Sequence, residues 1–317
     1  MKEYGGYIEL DRYTGSEYYS DLVSLNCGRS CLRYLIEAKN IKKIYLPFFL
    51  CDTVKMACEV CGISYEYYLI DKDFKPVFDK VPAENEYLYI VNYYGQLTDD
   101  YIKNLKQKYK NVIIDNAQAF FRKPLPDMDT IYIARKFFGV ADGAYLATDC
   151  KPAAEYPVDI SYDKINFLLG RFEKTASEFY EEYVNNNLRF DTEEIKYTSK
   201  LTSNLLRAVD YEFVKKRREE NFAYMDERLK KYNQLSLHPT EGPFAYPLLI
   251  ENGSEIRKKL QQIKIYVPTL WPDVFSLCAE DSLEYRYARD ILPLPIDQRY
   301  DADDMKVICD SVLKYLV

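Results

Sequence analysis

A single histidine, His238, serves all 317 residues, and it stands beside Pro239 in a polar stretch that reads as a turn. The Cys58 and Cys61 pair has CxxC spacing. With no second CxxC and no other imidazole, it and the distant Cys27 and Cys31 lack the ligand set of a structural zinc site. The eight cysteines have neither the density nor the regular spacing of a secreted disulfide scaffold, so they are expected to be reduced thiols filling core volume. No segment approaches the roughly 20 apolar residues that cross a bilayer, and Met1 to Gly6 carries no apolar signal stretch. A cytoplasmic location is the expectation. Basic excess is missing too: a net charge of −7 argues against nucleic acid as a partner. The one basic run, Lys215-Lys216-Arg217-Arg218, is followed at once by Glu219 and Glu220 and reads as a solvated helix face. No GxGxxG follows a predicted strand, which removes the fingerprint of nicotinamide enzymes. Internal repeats and low-complexity tracts are absent.

What remains is an ordinary globular composition, 48% hydrophobic and 29% charged, in a chain long enough for one large core and a smaller lobe. Short, nearly continuous apolar runs occur at residues 43–46, 87–91, 112–114, 131–133 and 144–147. Segments 29–39, 52–61 and 98–109 between them have helical spacing. Buried parallel strands alternating with helices predict an α/β fold with a mostly parallel central sheet flanked by helices. Thr98, followed by Asp99 and Asp100, is a suitable start for the third helix. From about Asp149 the chain turns to charged helical stretches, through an Asn185-Asn186-Asn187 loop, to a long helix near 208–232. A strand at 246–250, a helix at 254–263, a strand at 265–267 and a final helix near 303–316 complete it. Two domains are expected: a large α/β domain over 1–207 and a small C-terminal α+β domain over 208–317.

Chemistry-bearing residues fall at the predicted strand ends. Asn26-Cys27-Gly28-Arg29-Ser30 leads into the first helix, where a glycine turn offers free N–H groups to an anion. Asp115 ends an apolar strand, and a carboxylate there is costly to bury unless a proton donor or cation meets it, or unless it caps a following helix. Lys136, between Arg135 and Phe137, lies just beyond another strand and before the turn Asp142-Gly143-Ala144. In a sheet of βαβ units these ends converge on one crevice. An Asp and a Lys meeting there suggest pyridoxal phosphate, whose ring N–H the carboxylate would accept.

Together these residues resemble the DegT/DnrJ/EryC1/StrS sugar aminotransferases, a family with fold type I of the pyridoxal-phosphate enzymes. Tyr94-Gly95-Gln96 is similar to the family's YGQ segment, and Asp115-Asn116-Ala117-Gln118 to its acidic-x-Ala-Gln motif. Asn26 to Leu32 resembles the phosphate-cradling turn, Lys136 with Asp142-Gly143-Ala144 the Schiff-base lysine and its glycine turn, and residues 292–296 the small-domain strand. The resemblance implies pyridoxal 5'-phosphate as cofactor. Lys136 would be its covalent partner, Asp115 would pair with the pyridine nitrogen, Gln118 would lie near the phenolic oxygen, and Gly28 and Arg29 would hold the phosphate. It further implies transfer of an amino group, typically from glutamate, to a nucleotide-linked keto sugar for surface polysaccharide or glycosylated metabolites, by a homodimer whose second subunit is reached from the 185–204 region. A dehydratase of the family would carry histidine in place of Lys136; a catalytically silent scaffold acting as a binding protein is the reading from another class. The pattern departs from the family's at Arg29, where a small hydroxyl residue is usual, at Cys51, where an aromatic stacks on the ring, and over Ile131 to Ala134, where a serine is expected.

Overall fold

The computed structural model describes residues 4–316, so Met1, Lys2 and Glu3, part of the N-terminal stretch read above, and the final Val317 lie outside the described residues. The apolar runs become strands: β1 (Val23–Leu25), β2 (Lys43–Pro47), β3 (Ser64–Ile70), β4 (Pro76–Val77), β5 (Glu86–Val91), β6 (Val112–Asp115), β7 (Asp129–Ile133), β8 (Ala144–Ala147), β9 (Tyr246–Leu249) and β10 (Ile291–Leu294). The first eight make one sheet in the order β1-β8-β7-β6-β5-β2-β3-β4. From β3 through β2, β5 and β6 to β7 the pairing is parallel, whereas β8 runs antiparallel to both β7 and β1, and β4 to β3. Every residue of β6 and β8 is buried, as strands covered on both faces must be.

Three helices join the early strands: α1 (Gly28–Ala38), α2 (Asp52–Val60) and α3 (Asp99–Tyr109). Their lengths follow from local chemistry. Thr98 caps α3 by accepting from the Tyr101 N–H at 3.2 Å, Asp99 and Asp100 sit at its positive end, and Lys106 and Lys108 at its negative end. In α1, Leu32, Leu35 and Ile36 face inward with Cys31 and Tyr34, while Arg29, Arg33 and Glu37 are more exposed. After β8 come α4 (Asn166–Glu173), α5 (Tyr180–Leu188) and α6 (Lys200–Leu206), then α7 (Tyr211–Leu229), α8 (Gly253–Gln262), α9 (Val274–Leu277), α10 (Leu283–Asp290) and α11 (Ala302–Leu316). The antiparallel pair of β9 and β10 packs with α7, α8 and α11 around Met225, Tyr246, Leu260, Leu292 and Met305, an apolar cluster separate from the one beneath the large sheet.

Three expectations are corrected. No strand forms at 265–267: Lys264 adopts φ 63° beyond the end of α8, and the place beside β9 is taken by β10. Asn185 to Asn187 are helical, in α5, because tertiary bonds outweigh their poor helix propensity. Asn186 donates to the Ala141 carbonyl at 2.8 Å and accepts from the Arg189 Nε at 3.0 Å. The basic run on α7 is not wholly solvated, since Arg218 is 1% exposed. Val214, Arg218, Phe222, Met225 and Leu229 form the buried stripe of that helix.

Candidate active site

Because β1 and β7 both run opposite to β8, and β5 and β6 run parallel to β7, the C-terminal ends of all four lie on one edge, where β8 begins. Backbone bonds stitch the ends together. The Gly143 N–H donates to Asn26, Ala134 to Gly143, Asn116 to Ile131 and Asn92 to Asp115. This edge carries all five residues singled out in the sequence, Gly28, Arg29, Asp115, Gln118 and Lys136.

Asp115, the last residue of β6, is 9% exposed. It accepts from the Tyr89 hydroxyl at 2.9 Å and the Ala117 N–H at 2.8 Å, and no helix follows for it to cap. Two neutral donors leave its charge without a bonded cation. Burial raises this carboxyl above its usual range, against the opposing influence of the Lys136 ammonium, the Ala117 N–H and the Tyr89 hydroxyl. A protonated aromatic nitrogen is the kind of partner that would remove this cost. The raised value has a sign. The folded carboxyl holds its proton to higher pH than the unfolded one, so native stability falls as pH rises from the ordinary carboxylate range through the raised value. In cofactor-free protein, Asp115→Asn is therefore expected to melt above the parent at pH 7, with the gap closing below about pH 4; a pH series of melting curves checks this.

Gln118 accepts from the Tyr94 N–H at 2.8 Å. Tyr94 sits at φ 53°, so the amide supports a turn that most side chains avoid, and the N–H groups of Gln118 are what it can offer a ligand. Lys136 ends a short 3-10 turn after β7, exposed, with its ammonium 5.9 Å from the Phe244 ring centroid. Its loop is bolted from behind. The Phe137 carbonyl accepts from Gln298 at 2.7 Å and from Arg218 at 3.4 Å, and Arg218 reaches Gln298 Oε1, Pro243 O and Phe244 O at 2.9, 3.0 and 3.3 Å. The segment before Phe244 lies along the same edge. His238 and Gln96 exchange two bonds, at 3.0 and 3.1 Å, and Thr240 packs against Gly95.

At the start of α1, a Cβ on Gly28 would come within 2.7 Å of Ile133 Cδ1, so glycine lets the helix end approach β7 closely. No side chain caps this first turn and no acidic residue stands in it, which fits an anion. Arg29 is already engaged, 2.9 Å from Asp191. Cys51, at the expected ring-stacking position, precedes α2 as a half-buried thiol. Ile131, Ile133 and Ala134 bring no hydroxyl to the edge.

Tyr89 and Phe244 escaped the sequence reading, which met Arg135 only as the neighbour of Lys136 and Arg218 only as part of a solvated basic run. The stripe of α7 was the available signal for Arg218, and the period-two spacing of Tyr89 and Val91 on β5, diagonal to Asp115, the signal for Tyr89. Arg135 and Phe244 gave none.

By sequence the chain matches no family profile and no curated protein. Solved structures do match. NtdA from Bacillus subtilis, with bound cofactor PMP, superposes at TM-score 0.66 with 13% identity, over 96% of this chain and 78% of that one. A DegT DnrJ EryC1 StrS aminotransferase from Brucella abortus gives 0.63 and 13%, over 93% and 85%. The sugar aminotransferase CalS13 from Micromonospora echinospora gives 0.62 and 13%, over 92% and 87%. The chain has the fold of these aminotransferases. That fold is type I of the pyridoxal-phosphate transferases, as the resemblance implied.

Proposed function

We infer that the protein is a pyridoxal-phosphate-dependent aminotransferase of the DegT/DnrJ/EryC1/StrS type, moving an amino group from glutamate to a nucleotide-linked keto sugar. The observation that carries this reading is the meeting of a buried, cation-poor Asp115, an exposed Lys136 and an uncapped α1 on one edge of a type I sheet. The residues fit the cofactor: Asp115 would accept its ring N–H, Gln118 would donate to its phenolic oxygen, and the N–H groups at Gly28 and Arg29 would face its phosphate. When bound, pyridoxal phosphate supplies an electron sink for the pair released as a substrate C–H bond breaks. Lys136 Nζ takes the proton from that carbon and returns it. Tyr89 and the Ala117 N–H hold Asp115 in place, and Arg218, through the Phe137 carbonyl, holds the backbone next to Lys136.

The same reading takes residues 1–207 as the cofactor-binding domain and 208–317 as a smaller one, in a cytoplasmic homodimer. Exposed Phe172, Leu169 and Tyr180 on α4 and α5, and Tyr7 and Ile8, give a second copy apolar surface to cover.

The test is the visible spectrum of the purified protein after incubation with pyridoxal phosphate. A band of lysine-linked cofactor, bleached by glutamate, is expected. No band at all would abandon the aminotransferase in favour of a silent binding scaffold.

A further inference from the structure

Lys136 and Phe244 belong to distant segments of the chain, and one side chain ties both down. The guanidinium of Arg218 donates to the Phe137 carbonyl, next to Lys136, and to the carbonyls of Pro243 and Phe244. A buried, planar fork therefore sets the spacing between the Lys136 amine and the Phe244 ring. The ring is also backed by its neighbours. Phe244 is half-buried, packs against two apolar clusters, and has its centroid 5.9 Å from that of Phe137.

Lys136 is the opposite case, an exposed amine on a flexible stem. Arg135 beside it turns elsewhere, donating to the Asn187 side chain and standing 4.6 Å from the Phe190 ring centroid. Phe244 is the ring that faces the Lys136 ammonium, with its centroid 5.9 Å away. A cation–π contact ends at about 6 Å, so at this distance the ring acts on the amine more as a wall than as a charge partner. Each torsion of a lysine stem has about three staggered wells. An amine that must take a proton from one carbon and return it works from only a few of their combinations.

We propose that Phe244 is a positioning residue for Lys136. Its ring, held at a set spacing by Arg218, closes one approach to the amine, excludes water there, and restricts the stem to the wells from which Nζ reaches the reacting carbon. The catalytic part played by Lys136 rests on the reading given above, whereas the restriction of its side chain belongs to the protein alone.

The test has two arms. In cofactor-free protein, cyanate carbamylates the neutral amine, and peptide mass spectrometry compares Lys136 with Lys72, whose side chain is 85% exposed. Relative to Lys72, labelling of Lys136 is expected to rise about threefold in Phe244→Ala, where the closed wells and the closed approach open. The rise should be smaller in Phe244→Leu and absent in Phe244→Tyr. In protein loaded with pyridoxal phosphate, the maximal rate at which glutamate bleaches the visible band is expected to fall about 3- to 10-fold in Phe244→Ala. The glutamate concentration giving half that rate should stay within about twofold of the parent's, since the ring is not asked to bind glutamate. A merely structural role would lower the urea midpoint and leave both readings alone. A parental labelling ratio or a parental bleaching rate in Phe244→Ala therefore overturns the proposal, whatever the midpoint does. A parent without a visible band would remove the cofactor reading, and the labelling arm would then decide the wall by itself. If Phe244→Ala does not fold, Phe244→Leu, which keeps an apolar contact with Phe137, carries the same comparison.

Discussion

Lys136→Ala is expected to fold as well as the parent and to lose at least about 10³-fold in transamination, together with the visible band of lysine-linked cofactor. The two halves of this outcome have separate causes. The ammonium is exposed, makes no ion pair among the described residues and lies 5.9 Å from one aromatic ring centroid, and with its field on Asp115 the one favourable interaction lost, its removal should change stability by no more than about 1 kcal/mol. The chemistry has no such slack. No other amine lies in the turn that ends β7, and Arg135 beside it stays charged and cannot take a proton from carbon. A variant with a parental urea midpoint and no band would place the loss at the amine. A variant that kept the band would show that another group holds the cofactor.

Arg218→Ala should do the reverse, damaging the fold first. Arg218 is the largest fully buried side chain, with its guanidinium carbon 4.6 Å from the Phe137 ring centroid and bonds to four acceptors. Truncation leaves the carbonyls of Pro243 and Phe244 without that donor and opens a cavity, and a loss of roughly 3–5 kcal/mol is expected from the two effects together. The urea midpoint of cofactor-free protein measures it. Arg218→Lys should recover only part, since a single ammonium cannot span acceptors arranged around a planar fork. A midpoint unchanged in Arg218→Ala would refute the role given to this residue. The cofactor band should also weaken at temperatures where the variant is still folded, because the Phe137 carbonyl beside Lys136 loses one of its two side-chain donors.

Which parts of this molecule could be read from residues alone follows from how local their causes are. The apolar runs at 87–91 and 112–114 became β5 and β6 because continuous burial on both faces leaves little room for polar side chains. The strand β3 went unread because Ser64-Tyr65-Glu66-Tyr67-Tyr68 is rich in tyrosine, whose ring packs while its hydroxyl finds a partner. Tyr68, for instance, donates to the Tyr89 carbonyl at 2.6 Å. That Gly28, Asp115, Gln118 and Lys136 would meet on one sheet edge was legible because each stands at or just beyond a strand end in a recognisable pattern. Arg135 was not, since its surroundings come from Asn187 and Phe190, more than fifty residues away. Arg218 was hidden by its neighbours: Lys215, Lys216 and Arg217 blurred a residue that the phase of α7 assigns to the interior.

The segment leading to Phe244 is fastened to the sheet edge chiefly through main-chain atoms. His238 is gripped by its own N–H and carbonyl, and Pro243 and Phe244 by their carbonyls. Its fixed points are Gly242, at φ 47° with a Cβ position 2.2 Å from Phe121, and Thr240 against Gly95. The imidazole of His238 takes no part in the fastening and is exposed. That makes position 238 a place on the sheet edge where one side chain can be exchanged for another while the main-chain fastening behind it stays untouched.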